Sequence, residues 1–422
     1  MRLVLISMDA VFADDTDFLL SLPTLGKIAK DGVFCDNVQT IYPTLTYPIH
    51  TSLVTGCYPD RHGIAHNEPF QPEKPANLRK WHWDADEIQV DTLFTQAYNA
   101  GREVATILWP ITGHAKHIRF NFPEVLALPG EHQALKVLRY GSTGWLLKNE
   151  LVYGRKRVST KQPHLDDYAT LMAEKLIERY ETSPSISGKP RHMPDVLAVH
   201  LVDCDAMRHQ YGVFSEEAKE ALVRLDKRVG TLYEALRLKG LLKDTVFAIV
   251  TDHGHQDAKG SLPLDAWLRA NQVPARAQSL GLGAYIRIRK ADYRLVLQVL
   301  QDNKERLHLR HVYTREELRA MHAREDILLA VEPEEGIVIV DEEDQEPHLA
   351  THGFGIDHPG AKTLLWLHGP QFQQGFRLPS CQLVDIAPTL ASACGLTLDQ
   401  AQGRVLEEVF KAHYNNAGAL NN

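Results

Sequence analysis

Three apolar segments of the sequence each end in aspartate. The apolar part of ISMDA is followed by Asp9, that of HLVDCD by Asp203 and Asp205, and that of IVTDHG by Asp252. If these segments are parallel strands, their carboxyl ends meet at one edge of the sheet, where ligands bind in α/β folds. A single aspartate of this kind is usually a turn residue that caps the next helix. Because the pattern recurs with histidines attached, it favours a shared site.

Histidines accompany these aspartates at informative spacings. Asp205 and His209 are four residues apart in DAMRH, which places both side chains on one face of a helical turn. His253 directly follows Asp252, and His352 precedes a glycine in ATHGFG. Carboxylate oxygen and imidazole nitrogen together suit zinc, and also manganese or iron.

These candidate ligands are too many for one tetrahedral ion. They predict two divalent ions roughly 3.5–4 Å apart, as in two-metal hydrolases. Three ligand aspartates would offset only part of the charge of two such ions, which leaves a locally positive centre. The chain as a whole has a formal charge of −8, so this centre would be the feature that attracts a phosphate.

A hydroxyl-bearing segment at 41–67 supplies a candidate nucleophile. It reads IYPTLTYPIHTSLVTGCYPDRHGIAHN. Pro48 fits the first turn of a helix, so Thr46 would lie at or just before a helix N-terminus. That position attracts anions and lowers the cost of an alkoxide. The register of Pro48 favours Thr46 over the other hydroxyls of the segment, which are Thr44, Thr51 and Ser52.

The elements around these residues predict a mostly parallel sheet with helices on both faces. Apolar runs of strand length alternate with helical patterns, as in α/β proteins. One helix is expected over 18–30, where leucines and isoleucine recur at helical spacing. The mixed region 111–164 is interpreted as an insertion near the site. The pattern changes at 261–346, which predicts a smaller inserted α+β subdomain between core segments 1–260 and 347–422.

Composition limits the function classes. The net charge of −8 argues against a nucleic-acid polymer or an anionic membrane as partner. No apolar run reaches the ~20 residues of a membrane-spanning helix. The five cysteines are scattered without CxxC spacing, which favours reduced thiols and a cytoplasmic location. The first residues begin a strand, so no signal peptide is expected, although secretion with a trimmed signal stays open.

The chain resembles the nucleotide pyrophosphatase/phosphodiesterases of the alkaline phosphatase superfamily. The resemblance rests on motifs spread in family order over nearly the whole chain. They are Asp9 in the first strand, YPTLTYPIHTSLVTGCYPDRHGI, LWP, DAMRHQYG, TDHGH, THGFG and VDIAPTLASACG. It implies an alkaline-phosphatase-like core and hydrolysis of phosphodiester or phosphoanhydride bonds through a phosphothreonine intermediate.

The resemblance also implies a role for individual residues. Thr46 matches the nucleophile, Asn67 the amide that hydrogen-bonds a phosphoryl oxygen, and Tyr47 the aromatic that packs against a nucleobase. The metal ligands divide into two sets. The first ion would be held by Asp9, Thr46, Asp252 and His253, and the second by Asp205, His209 and His352.

Some residues depart from the family pattern or imitate another one. The family commonly has Glu-Pro where Asp203 and Cys204 stand, and Lys or Asn where Leu45 and Ile49 stand. These differences leave the substrate open. CYPDR at 57–61 imitates the sulfatase CxPxR sequence, but its register is wrong, because the sulfatase cysteine corresponds to Thr46. His255 and Asp257 are interpreted as groups that orient ligands or as loop residues.

The resulting prediction is a two-metal phosphodiesterase or nucleotide pyrophosphatase that acts on a small phosphorylated substrate, such as a nucleotide. A phosphomonoesterase or a phosphonoacetate-type hydrolase is the nearest alternative. A monoesterase needs extra cations, and the region 111–164 contains Lys116, Arg119, Lys136 and Arg139. A non-catalytic metal-binding protein is the alternative of another class. The oligomeric state is not predicted.

Overall fold

A nine-stranded sheet lies at the centre of the protein. The structure is a computed structural model that describes residues 1–180, 192–343 and 345–412. Within these residues the strands are β1 (Arg2–Met8), β2 (Val33–Gln39), β3 (Val104–Ile107), β4 (Phe120–Phe122), β5 (Val196–Leu201), β6 (Thr245–Thr251), β7 (Gln256–Asp257), β8 (Gly260–Leu262), β9 (Arg276–Ser279), β10 (Ala284–Arg287), β11 (Leu309–Tyr313), β12 (Leu329–Pro333), β13 (Ile337–Ile339), β14 (Ala350–Thr351), β15 (Lys362–His368), β16 (Phe376–Arg377) and β17 (Cys381–Gln382).

Helices connect most of these strands. In chain order they are α1 (Thr16–Ser21), α2 (Pro23–Asp31), α3 (Thr46–Thr55), α4 (Pro59–His62), α5 (Leu93–Asn99), α6 (Gln133–Tyr140), α7 (Thr143–Tyr153), α8 (His164–Glu178), α9 (Asp203–Tyr211), α10 (Glu216–Leu238), α11 (Leu264–Ala270), α12 (Tyr293–Asp302), α13 (Arg315–Ala320) and α14 (Ile386–Ala393). Among the helices of the described residues, none is long and apolar enough to cross a membrane.

The central sheet is mostly parallel, as predicted. Its order is β16-β2-β15-β6-β1-β5-β3-β4, and β17 pairs with β2. β1 runs parallel to both β5 and β6, whereas β15 runs antiparallel to β6 and β2. Alternate residues of a strand point to opposite sides of the sheet. Each face of this sheet is apolar, and helices cover both. One layer contains Val4, Ile6, Ile28, Met172 and Leu225; the other contains Leu3, Leu5, Leu53, Phe94 and Leu390.

The helix expected over 18–30 is two helices in the structure. α1 ends at Ser21, and α2 begins at Pro23, with Leu22 extended between them. Pro23 lacks the N–H that a continuous helix would use, but it fits the first position of a new one. The leucine spacing therefore correctly predicted which side of these segments is buried, but the prediction of one continuous helix is wrong.

The region 111–164 contributes a strand to the central sheet. β4 pairs parallel with β3, and so the residues around Phe120 belong to the core. The helices α6 and α7 follow it. The interpretation of the whole region as an insertion is therefore wrong for 120–122, where a strand of three residues is too short to show a periodicity.

A second sheet lies in the later part of the chain. β9 to β12 form a four-stranded antiparallel sheet in the order β11-β12-β10-β9. Its own apolar cluster includes Leu268, Ile286, Val296 and Val331. These strands, with α11 to α13, lie within the range predicted for the inserted subdomain. The boundaries at 261 and 346 stay a prediction.

The carboxyl ends of three neighbouring strands define the site. Met8 at the end of β1 is in register with Leu201 of β5 and Thr251 of β6. The next residues along each strand therefore leave the sheet at the same level. Asp9 and Asp252 follow directly, and β5 leads into α9.

Candidate two-metal centre

The helix α3 places the hydroxyl of Thr46 at its buried N-terminus. Thr46 is the first residue of this helix, Leu45 precedes it in an extended conformation, and Gly56 ends it with a φ of 68°. Pro48 lies in the first turn, where a missing N–H costs no helix hydrogen bond. The partial positive charge of this helix end favours an anion beside Thr46.

Thr46 differs from the other hydroxyls of its segment in what it faces. The hydroxyl of Thr44 donates to a backbone carbonyl at 2.9 Å, that of Thr51 at 2.8 Å and that of Ser52 at 2.6 Å. The Oγ1 atom of Thr46 instead lies 3.2 Å from Nε2 of His253. The three alternatives are therefore engaged in holding the backbone, and Thr46 faces the histidine and its neighbours.

The first group of candidate ligands consists of Asp9, Asp252 and His253. One oxygen or nitrogen from each lies within 4.8 Å of the others. Nε2 of His253 is 3.6 Å from Oδ1 of Asp9 and 3.4 Å from Oδ2 of Asp252. Oδ1 of Asp252 accepts hydrogen bonds from the N–H groups of Ala10 and His253, so Oδ2 is the oxygen left for a ligand.

The second group contains one residue more than the sequence predicted. Asp205, His209 and His352 meet here, and His255 joins them, again with ligand atoms within 4.8 Å of one another. Nε2 of His209 is 3.3 Å from Oδ1 of Asp205, and Nε2 of His255 is 2.9 Å from the same oxygen. The rings of His253 and His352 stack at 3.8 Å between their centres, which makes the two groups neighbours.

Backbone carbonyls orient two of these histidines. Nδ1 of His209 donates to the carbonyl of Ala350 at 2.8 Å, and Nδ1 of His352 donates to that of Thr44 at 2.9 Å. Each bond fixes the proton on Nδ1 and leaves the lone pair of Nε2 free to bind a metal. This arrangement is typical of metal-binding histidines.

The electrostatics show that the carboxylates are crowded. Burial raises the pKa of Asp9 well above its ordinary value, and Asp252 and Asp205 raise it further. Burial also raises the pKa of Asp252. Burial would do the same to Asp205, but His209 and His255 hold its pKa well below the ordinary value. Burial lowers the pKa of His253 to about 3, so this imidazole is neutral and its lone pair is available.

The residues fit two divalent cations. Oδ1 of Asp9 and Oδ2 of Asp252 are buried and receive no hydrogen bond from the residues that the structure describes. Such atoms are costly unless a cation binds them. Cations would also relieve the repulsion between the aspartates. Carboxylate oxygens with neutral imidazoles form a donor set that suits zinc, manganese or iron.

Asn67 lies at the same helix end as Thr46. Its Oδ1 accepts a hydrogen bond from the backbone N–H of Tyr47 at 3.0 Å. Because the acceptor end of the amide faces the helix, the NH₂ end is the one available to donate. This placement is consistent with the predicted contact to a phosphoryl oxygen.

Tyr47 is more enclosed than its predicted role would suggest. Its side chain is fully buried in a cluster with Ile64 and Val125, and its ring meets the edge of Trp81 at 5.2 Å. Trp81 itself is half-buried. Of these two aromatic side chains, Trp81 is therefore the more accessible.

Sequence reasoning missed two buried histidines beneath the site. Nδ1 of His50 donates to the carbonyl of Thr46 at 2.8 Å, and its Nε2 accepts from the hydroxyl of Ser7 at 2.8 Å. Nε2 of His200 lies 3.2 Å from Oδ2 of Asp9. Histidines inside apolar segments were the available signal, but the side that they face depends on the tertiary structure.

Sequence reasoning also missed Glu124. Its Oε2 is buried without a hydrogen-bond partner among the described residues. Burial raises the pKa of this carboxyl to about 8, and Asp205 and Asp252 contribute. Glu124 also contributes to the raised pKa of Tyr47, so its charge would act on both the aromatic ring and the metal ligands. No motif marks it, because it follows the three-residue strand β4.

Three remaining candidates have structural roles. The Oδ2 atom of Asp203 accepts hydrogen bonds from Arg224 at 2.7 Å and Arg228 at 2.6 Å, on the side of α9 away from the ligands. The thiol of Cys57 donates to the carbonyl of Gln400 at 3.0 Å. Asp257 accepts from the N–H of Val213, outside both groups.

A family model matches most of the chain. The model described as "Type I phosphodiesterase / nucleotide pyrophosphatase" aligns with residues 3–355. The human protein "Ectonucleotide pyrophosphatase/phosphodiesterase family member 1" is 26% identical over 241 residues. That alignment spans 55% of this chain and 21% of the longer relative. Bovine "Bis(5'-adenosyl)-triphosphatase ENPP4" is 23% identical over 411 residues, which are 94% of this chain and 78% of the relative.

Solved structures share the fold. Murine ectonucleotide pyrophosphatase / phosphodiesterase 5 superposes with a TM-score of 0.72 at 18% identity, over 97% of this chain and 100% of that one. An inactive variant of the same murine protein in complex with AMP gives 0.73 at the same identity and coverage. The human counterpart gives 0.73 at 20% identity, over 98% and 100%. The alkaline-phosphatase-like fold expected from the motifs is confirmed.

Proposed function

The chain belongs to the type I phosphodiesterase / nucleotide pyrophosphatase family, and from this premise we propose that it is a metal-dependent hydrolase of phosphodiester or phosphoanhydride bonds with Thr46 as nucleophile. One observation carries the proposal. The hydroxyl of Thr46 lies at a helix N-terminus, 3.2 Å from Nε2 of His253, where two groups of metal-ligand side chains meet. A non-catalytic role would not require a hydroxyl there.

The two groups of candidate ligands correspond to two metal ions. Asp9, Asp252 and His253, with Thr46, would hold one ion, and Asp205, His209 and His352 the other. When bound, the ions supply positive charge for the phosphoryl oxygens and lower the pKa of a hydroxyl or water beside them. Zinc is the proposed metal, because nitrogen and oxygen ligands of this kind suit it, and manganese and iron remain alternatives.

Thr46 performs the bond exchange. Its hydroxyl gives up its proton to solvent, its oxygen forms a bond to phosphorus while the bond from phosphorus to the leaving oxygen breaks, and the leaving group takes up a proton from solvent. The resulting phosphothreonine is hydrolysed by water, which returns the hydroxyl of Thr46. The N-terminus of α3 and the NH₂ group of Asn67 stabilise the negative charge on the phosphoryl oxygens.

We propose a diester rather than a monoester as the substrate, because two of the four basic residues named in 111–164 already have acidic partners. A dianionic monoester needs unpaired cations near the phosphoryl group, and the candidates were in 111–164. Lys136 is buried, pairs with Glu131 and lies 3.7 Å from the ring centre of Trp83. Arg119 pairs with Glu103.

A nucleotide is the substrate class that the relatives support. The bovine relative is named a bis(5'-adenosyl)-triphosphatase, and one similar murine structure is a complex with AMP. We propose a small phosphorylated substrate of this type for this chain, with Trp81 or Tyr47 beside its base. The cytoplasmic location stays a proposal that rests on the cysteine pattern, and cell fractionation tests it.

Aryl phosphate esters test the function. The zinc-loaded protein is expected to hydrolyse bis(p-nitrophenyl) phosphate faster than p-nitrophenyl phosphate. Thr46→Ala should reduce diester turnover by at least about 10³-fold, because loss of a nucleophile has effects of this size or larger. Thr51→Ala, in the same helix with its hydroxyl on a carbonyl, is the matched control. Turnover that is unchanged in Thr46→Ala would exclude the mechanism, and faster monoester turnover would favour a phosphomonoesterase.

A further inference from the structure

His255 occupies a different kind of position from the other histidines near the site. It follows Asp252 and His253 by three and two residues, on the chain that leaves β6. Its side chain is only 3% exposed. Rather than joining its sequence neighbours in the first group, it crosses to the second, where Nε2 is 2.9 Å from Oδ1 of Asp205.

The ring of His255 is surrounded by the other nitrogen ligands of that group. Its centre is 4.4 Å from the ring of His209 and 5.2 Å from that of His352. The ligand atoms of all four residues lie within 4.8 Å of one another. A single ion placed between them would therefore lie within reach of His255 as well as of the other two histidines.

An alternative role is that His255 only donates a hydrogen bond to Asp205. Such a histidine orients a ligand without touching the metal, and its second nitrogen usually has a partner as well. Nδ1 of His255 is buried and has no hydrogen-bond partner among the described residues. Within the described part of the chain, the one polar contact that holds this ring is therefore that of Nε2 with Asp205, directed into the group. A neutral imidazole held this way presents Nε2 to a cation as readily as to a carboxylate.

We propose that His255 binds the second metal ion directly, as a fourth protein ligand beside Asp205, His209 and His352. The inference rests on the proposed two-metal function and deepens it. Three nitrogens and one oxygen complete a tetrahedral zinc site, which is the ligand number of structural zinc sites, whereas catalytic sites retain three.

Counting the coordinated imidazoles tests the proposal directly. The protein is labelled with ¹⁵N-histidine and loaded with ¹¹³Cd as a spectroscopic replacement for zinc. Nitrogens bound to cadmium show a one-bond coupling, so they can be counted. Four coupled imidazoles are expected, from His209, His253, His255 and His352. Three coupled imidazoles, with that of His255 absent, would overturn the proposal.

A glutamine variant separates the two roles of His255. In His255→Gln the side-chain NH₂ group still donates to Asp205, but the imidazole is lost. Loss of an outer hydrogen-bond partner lowers metal affinity about 10–100-fold, and a retained donor should cost less than that. If His255 is a ligand, zinc affinity measured by chelator competition should fall by roughly 100-fold or more for one of the two ions. Equal affinity of the variant and the parent protein would contradict the proposal.

A neighbouring histidine provides the matched control. His348 is half-buried, and its ring lies 4.6 Å from that of His209, but it is outside the ligand group. His348→Ala is expected to retain four coupled imidazoles and both zinc affinities. A protein that binds no divalent metal would refute the proposed function itself. Two bound ions with three imidazoles would refute only the role of His255.

Discussion

Nη1 of Arg228 donates to Oδ2 of Asp203 at 2.6 Å, and both side chains are buried beneath the first turn of α9. Arg224 donates to the same carboxylate, and Asp166 accepts from the backbone N–H of Asp203. This network holds the start of the helix that carries Asp205 and His209. Asp203 therefore anchors helix α9, while Asp205, two residues later, belongs to the second group of candidate metal ligands.

Removing Arg228 should destabilise the protein and weaken its second metal site. In Arg228→Ala, Asp203 keeps a buried charge with only one partner. Breaking a buried pair costs about 3–5 kcal/mol, which urea denaturation of the metal-free protein would measure. Arg237→Ala is the control, because its pair with Glu234 is exposed to solvent and should contribute little to stability. Equal losses in the two variants would show that the network is not an anchor.

Asn67 should contribute to the rate but not to metal binding. In Asn67→Ala, the donor to the phosphoryl oxygen is lost, so kcat for a diester should fall about 10²–10³-fold. Asn67→Asp retains the acceptor for the N–H of Tyr47 but replaces the donor by a negative charge. It should be at least as slow, with both zinc ions still bound. If Asn67→Asp has normal kcat, the residue acts only as a helix cap.

Gly353 should be required for the position of His352. It has a φ of 94°, and a Cβ atom there would overlap the carbonyl of Leu280. Gly353→Ala should therefore displace the adjacent ligand, and the variant is expected to bind zinc weakly or to fold poorly. Gly144→Ala is the control, because Gly144 lies in α7 with nothing near its added Cβ. It should be neutral or more stable by up to about 1 kcal/mol.

His62 should make stability depend on pH. Burial lowers the pKa of His62 to about 3, whereas an unfolded histidine has a pKa of about 6.5. Between these values the unfolded chain binds a proton that the native protein does not, so stability falls as the pH falls through this window. The contribution is about 1.4 kcal/mol per pH unit.

His62→Gln should remove that contribution. Urea denaturation between about pH 4 and 6 should give a shallower loss of stability for the variant than for the parent protein, by about 1.4 kcal/mol per pH unit. Any packing cost of the substitution appears as a constant difference above pH 7. Parallel curves would mean that the buried imidazole is not what titrates.

Much of the site was predictable because it depends on local patterns. Apolar runs that end in Asp9 and Asp252 are strands, and parallel strands bring their ends together regardless of the chain between them. Pro48 sets the register of α3, and so the position of Thr46 at its start. The spacing of Asp205 and His209 requires a shared helix face. The resemblance of the motifs to a known family then supplied the predicted reaction and the predicted role of each residue.

Only the tertiary structure decided where three further residues lie, namely His255, Tyr47 and Glu124. His255 lies two residues from a first-group ligand, yet it joins the second group, because the direction of the chain after β6 is set by packing. The tertiary structure likewise places the ring of Tyr47 against that of Trp81 and buries Oε2 of Glu124. Periodicity tells which side of an element is buried. It does not tell which neighbour buries it, and that neighbour determines which polar atoms are left without a partner.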